Sequence, residues 1–210
     1  MRIIAGEKRG MKLLSPPGRD TRPITDRVKE SLFNILNNHS LADGAIVADL
    51  FCGTGSMGLE ALSRGATWVT FFDKDRRVIE ILKQNIARMV YGDRCKPIAA
   101  NILSVGAAPT PEHGLYDLVF VDPPYIMSTN SGEGSKVAQL MELIGEQVNP
   151  GAMVILRTHD DASTCERYGV LEEFDERTWG TMKLVFYRSP GGEEAVVEDL
   201  PGVGEETTDE

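Results

Sequence analysis

The stretch Ala48-Asp49-Leu50-Phe51-Cys52-Gly53-Thr54-Gly55-Ser56-Met57-Gly58-Leu59-Glu60 decides the fold. The apolar run Ala45-Ile46-Val47-Ala48 leads into it and Leu59, Ala61 and Leu62 follow, which predicts a buried strand, a glycine turn and a helix. Backbone N–H groups at such a helix start face a ligand. Gly53, Gly55 and Gly58 satisfy G-x-G-x-x-G, a spacing shared by many nucleotide-binding α/β proteins. Asp49 narrows the choice, because a carboxylate at the end of the first strand repels a pyrophosphate and attracts a cationic ligand.

Trp68-Val69-Thr70-Phe71-Phe72 predicts a second strand, and Asp73 closes it twenty residues beyond Gly53. A carboxylate there accepts hydrogen bonds from a ribose diol. Either acid alone also suits an ordinary strand-end cap. Together with the glycine turn they resemble motif I of the Rossmann-like methyltransferases that use S-adenosylmethionine (SAM). The resemblance implies SAM as cofactor, a ligand with a sulfonium and an ammonium, held by Asp49, Phe51, Gly53, Gly55 and Asp73.

Composition bounds the rest. A chain of 210 residues, 41% hydrophobic and 26% charged, has the make-up of one globular domain. No apolar run has the length of a membrane helix and no signal-peptide core opens the chain, so a cytoplasmic protein is expected. Cys52, Cys95 and Cys165 form no C-x-x-C pair, and His39, His113 and His159 lack metal-ligand spacing, so neither disulfide nor metal is expected. The net charge of −10 is uneven: residues 1–31 hold eight Lys/Arg against four acids, and residues 191–210 hold eight acids and no base. A polyanion would meet the basic N-terminal segment, although a solvated face explains that charge equally well.

In that segment, Arg2–Gly6 and Gly10–Leu14, joined by Glu7-Lys8-Arg9, predict a short hairpin. Ser15–Asp20 reads as a proline and glycine linker. Thr25 or Asp26 then caps a helix whose apolar face is Val28, Leu32, Phe33, Ile35 and Leu36. Arg2-Ile3-Ile4-x-Gly6, Gly10-x-x-Leu13 and Thr21-Arg22-Pro23-x-Thr25-Asp26-Arg27-Val28-Lys29-Glu30-x-Leu32-Phe33-Asn34 resemble the N-terminal signature of the bacterial small-subunit ribosomal RNA guanine-N2 methyltransferases, the RsmD-like family. The resemblance runs from residue 1 to about 188, and Ile24 departs from the family's usual threonine. It implies a seven-stranded Rossmann-like α/β sheet with an antiparallel last strand, and a helix beside the cofactor site. It also implies that Thr25, Arg27 or Lys29 meets the methionine carboxylate or an RNA phosphate.

From residue 45 onward strand and helix alternate, the mark of a parallel sheet covered on both faces. Lys96–Ala99 is a short third strand, after which the methyltransferase resemblance puts Asn101 and the Ile102 amide around the adenine. Leu115–Val121 is a fourth strand, and Asp122-Pro123-Pro124-Tyr125 stands at its carboxyl end, where open α/β sheets bind ligands. Exocyclic amino methyltransferases use [Asn/Asp]-Pro-Pro-[Tyr/Phe/Trp] there. An aromatic amine attacks a methyl sulfonium well only as its nitrogen becomes tetrahedral, a change favoured by acceptors aimed at its two N–H bonds. Asp122 and the Pro123 carbonyl are the candidate acceptors, the paired prolines including Pro124 hold them still, and Tyr125 offers a ring to stack on the base.

Residues 126–136 have linker composition and read either as a lid or as a plain loop. Met153–Thr158 is a fifth strand, Leu171–Trp179 and Met182–Tyr187 form a terminal hairpin, and the tail 191–210 reads as disordered. The chain thus divides into a basic N-terminal appendage (1–44), a methyltransferase domain (45–190) and the acidic tail. The family resemblance implies methylation of a guanine N2 in 16S ribosomal RNA, free or in the small-subunit assembly, and no obligate protein partner is expected. Lys8, Arg9, Lys12, Arg19, Arg22 and Arg27 are the candidate RNA contacts. Rival readings are a DNA amino-methyltransferase, a nucleotide-dependent oxidoreductase and a non-catalytic RNA-binding protein.

Overall fold

Central strands buried on both faces build the architecture. Val69 and Phe71 face one core layer and Phe72 faces the other, while Val47 and Ala48 divide in the same way, so each strand supplies both layers. A computed structural model describes residues 1–16, 24–39 and 41–191. The elements are α1 (Asp26–Asn38), β1 (Ile46–Leu50), α2 (Ser56–Ser63), β2 (Trp68–Asp73), α3 (Arg76–Met89), β3 (Cys95–Ala99) and α4 (Ile102–Val105). They continue with β4 (Tyr116–Val121), α5 (Tyr125–Ser128), α6 (Lys136–Gly145), β5 (Val148–His159), β6 (Arg167–Tyr168), β7 (Leu171–Trp179) and β8 (Met182–Arg188). One sheet runs in the order β3-β2-β1-β4-β5-β8-β7-β6.

Strands β3, β2, β1, β4 and β5 are mutually parallel, and the last strand, β8, enters antiparallel between β5 and β7. The sheet has eight strands where seven are expected. The addition is the two-residue edge strand β6, too short to carry a hydrophobic alternation and formed only because Arg167 and Tyr168 pair with β7. Strand order reverses between β1 and β4, so a crevice opens at the carboxyl ends of those two strands.

The N-terminal segment is a hairpin with a single antiparallel bridge, Arg2 to Lys12, instead of two strands. Side chains of the main body accept several of its other backbone N–H groups. The Glu60 carboxylate accepts the Ile4 and Ala5 N–H groups at 2.8 and 3.0 Å. Asn85, buried in α3, accepts from Leu14 N–H and donates to the carbonyls of Leu14 and Thr54. Ile3, Leu13 and the apolar face of α1 then join the same core layer as α2 and α3. Arg19, Arg22, most of the 15–20 linker and residues 192–210 lie outside the described residues.

Candidate active site

The glycine loop links β1 to α2. Gly55 adopts φ +89°, and a Cβ there would stand 2.5 Å from the Leu82 side chain, so only glycine lets α3 approach. At Gly58 a Cβ would meet the Phe71 ring at 2.3 Å, which presses α2 against β2. The Gly58 N–H in turn donates to the Asp49 Oδ2 at 2.8 Å. Asp49 is 1% exposed. Burial pushes its carboxyl up to about 7, the Gly58 bond opposes that, and the charges of Asp122 and Asp73 push the same way.

Asp73 accepts the Gly53 N–H at 3.1 Å and the Asp75 N–H at 2.9 Å, so the end of β2 reaches across to the loop. Phe51 has φ +57° and packs half-buried on the second core layer. Asn101 is exposed at the start of α4, where its side chain donates to Ser104 Oγ at 3.0 Å, while the Ile102 side chain is buried. Cys52 is buried and its thiol pKa is pushed well up by burial, so it is a packing residue.

Asp122 follows β4 directly, and its N–H donates to the Leu50 carbonyl at 3.3 Å. It therefore stands beside the end of β1, at the strand-order reversal. The Asp122 carboxylate pairs with Arg157 of β5, whose Nη1 lies 2.9 Å from Oδ2 and 3.2 Å from Oδ1. Burial holds the Asp122 pKa above the usual carboxylate value, against the lowering effect of Arg157. The Pro124 carbonyl is spent on the N–H groups of Met127 and Ser128, which leaves that of Pro123 as the candidate acceptor. Tyr125 is 58% exposed and meets the His159 ring edge-on at 5.5 Å. His159 Nδ1 lies 2.8 Å from an Asp160 oxygen and 2.5 Å from an Asp161 oxygen.

The 126–136 segment is better anchored than its composition suggests. Its first turn is α5, fixed where Thr158 Oγ1 donates to the Ser128 carbonyl, and Ser131 N–H donates to the Ser163 carbonyl at 3.1 Å. Lys8 and Arg9 sit at the far end of α2 from the glycine loop, because the Glu7 and Lys8 N–H groups bond to the carbonyl and hydroxyl of Ser63. Lys8 is engaged by Glu7 at 2.7 Å, whereas Arg9, Lys12 and Arg27 are exposed. Lys29 is 1% exposed and spent on Glu60 at 3.2 Å and the Arg2 carbonyl at 2.7 Å, which withdraws it from any phosphate.

Two of these partnerships, Arg157 with Asp122 and Asn85 with the glycine loop, leave no trace in the sequence. The partners are 35 and 31 residues apart, with no local pattern to join them.

The family model described as Conserved hypothetical protein 95 matches residues 1–188. The chain belongs to that family. Similar to this member is a Haemophilus influenzae relative named ribosomal RNA small subunit methyltransferase D, 32% identical over 197 residues that cover 90% of this chain and 94% of the relative. An Escherichia coli K12 protein of the same name is 41% identical over 125 residues, 60% of each chain. Among solved structures, that of Escherichia coli yhhF superposes with TM-score 0.75 at 30% identity and covers 90% of this chain and 98% of its own. A magnesium protoporphyrin IX methyltransferase from Synechocystis, with bound SAM, shares the fold alone at TM-score 0.57 and 14% identity.

Proposed function

We propose that this family member transfers a methyl group from SAM to the exocyclic N2 amino group of a guanine in 16S ribosomal RNA. The observation that carries the reading is Asp122-Pro123-Pro124-Tyr125 mounted at the strand-order reversal, beside the acidic glycine loop.

The residues fit the cofactor. Asp49, Asp73 and Asp122 end three adjacent strands, close enough for the latter two to raise the Asp49 pKa, and a cation relieves that repulsion. A pyrophosphate would worsen it, which argues against an oxidoreductase. Thr54 Oγ1, buried in the loop, has no hydrogen-bond partner among the described residues and offers one more polar atom. Asp49, Phe51, Gly53, Gly55, Asp73, Asn101 and Ile102 are assigned to hold SAM. When bound, SAM supplies an electrophilic methyl group. Asp122 and the Pro123 carbonyl accept from the two amino N–H bonds and favour the tetrahedral, positively charged nitrogen. Tyr125, exposed and edge-on to His159, stacks on an unpaired or extruded base.

Arg9, Lys12 and Arg27, with Arg19 and Arg22, are assigned to RNA phosphates, and Lys8 contributes from the far end of α2. The test is transfer of labelled methyl from SAM to 16S RNA taken from a strain lacking this gene, with the modified base mapped. Label on DNA or on adenine instead of guanine N2 would overturn the assignment.

A further inference from the structure

The pair of Asp122 with Arg157 has consequences beyond holding two side chains together. Arg157 belongs to β5, which runs parallel to β4 with Val121 opposite Leu156. The next residue of each strand is therefore Asp122 and Arg157, side by side at the carboxyl edge. The pair is only partly solvated, with 34% of the Asp122 side chain and 19% of the Arg157 side chain exposed. Ile24, Leu32, Met57, Ile155 and Leu184 line a crevice of about 20 Å³ around them. Asp49 on β1 is an acid close enough for the Asp122 charge to raise its pKa, and on the chain beyond Asp122 the nearest titratable side chain is Tyr125.

We infer that Arg157 is a positioning residue for methyl transfer, fixing the Asp122 carboxylate as an ionised acceptor with its remaining lone pairs turned to the substrate amino group. The inference rests on the proposed reaction. A carboxylate offers about four lone-pair sites, and Arg157 reaches both oxygens through one nitrogen, from one side. The sites on the other side stay available. Were the acid neutral, one oxygen would carry a proton and oppose an amino N–H instead of accepting from it. The apolar walls favour that neutral form. Arg157 opposes them across the working pH range, because a guanidinium does not lose its charge.

The test uses Arg157→Met and Arg157→Lys in the full chain. The Asp122 carboxyl is titrated by carbon-13 NMR, and kcat for 16S RNA methylation is followed from pH 5.5 to 9. In Arg157→Met, Asp122 should titrate at higher pH and the acid limb of kcat should move with it. The rate at pH 6 should fall by about tenfold or more while SAM affinity and melting temperature hold. Arg157→Lys keeps the charge and should restore most of the acid limb, and it serves as the reading should the methionine variant not fold. In an Asp122→Asn background, Arg157→Met should add no further pH dependence. An Asp122 titration unmoved by Arg157→Met, or a rate loss equal at every pH, would overturn the assignment. If the unaltered protein methylated no RNA, the proposed reaction would fall, while the NMR titration would still decide whether Arg157 keeps Asp122 ionised.

Discussion

Glu60→Ala should be among the most damaging single substitutions in this chain. Glu60 is fully buried and accepts from Ile4 N–H at 2.8 Å, Ala5 N–H at 3.0 Å, Lys29 Nζ at 3.2 Å and Arg64 Nε at 2.8 Å. Truncation strands Lys29, whose charged form burial already disfavours, as its lowered pKa reflects. Removing one partner of a buried pair costs about 3 to 5 kcal/mol. For a chain of this size that corresponds to a melting point lower by roughly 6 to 20 °C. The same substitution frees the N-terminal segment, and Lys29 also bonds Ser56 Oγ at 3.4 Å at the start of α2, so SAM affinity should fall with stability. Urea unfolding followed by circular dichroism gives the stability change, and calorimetry gives the affinity. A loss below about 1 kcal/mol would refute the claim that this carboxylate ties the segment to the core. The double variant Lys29→Met/Glu60→Leu should recover only the share of the loss due to Lys29, because Arg64 and the N–H groups of Ile4 and Ala5 still lose their acceptor.

Asp122→Ala should lower kcat by about two orders of magnitude and leave SAM affinity nearly unchanged, and an equal loss of SAM binding would move Asp122 to the cofactor site. Asp49, raised from 3.8 to about 7, contributes stability that is complete at acid pH and disappears as pH rises through 7. A cationic cofactor binds its ionised form, so SAM affinity should increase from pH 6 to pH 8, and a flat calorimetric profile would contradict this. Gly58→Ala forces a Cβ to within 2.3 Å of the Phe71 ring and should cost about 1 to 3 kcal/mol in urea unfolding. Neutralising Arg9, Lys12 and Arg27 should flatten the salt dependence of RNA binding by about 0.7 to 0.9 in log–log slope for each phosphate left without its cation, and an unchanged slope would place the RNA elsewhere.

The local pattern of the chain carried the parallel sheet, the glycine loop and the Asp-Pro-Pro-Tyr motif. A strand buried on both faces reads as a short apolar run, a turn demands its glycines within a few residues, and paired prolines act on their own backbone. Each signal is complete within about ten residues, so the order of strand, loop and helix from Ala45 to Tyr125 needed no fold to be read. Asp49 and Asp73 were legible for the same reason, as residues at strand ends.

Other features required the assembled molecule. The pairing of β6, the single-bridge hairpin at Arg2 and Lys12, and the anchoring of residues 126–136 depend on backbone partners from other parts of the chain. The family resemblance puts Thr25, Arg27 or Lys29 beside the methionine carboxylate or an RNA phosphate, and sequence does not choose among them. The helix face of Lys29 turned it inward to Glu60, and burial decides whether a charge meets solvent or an ion partner. Arg157 gave no sign of a role, since only the register of β5 on β4 sets it beside Asp122. Residue type and local order thus determined which chemistry this protein carries. The tertiary structure decided which charges remain to perform it, because pairing and desolvation arise only when segments far apart in sequence are packed together.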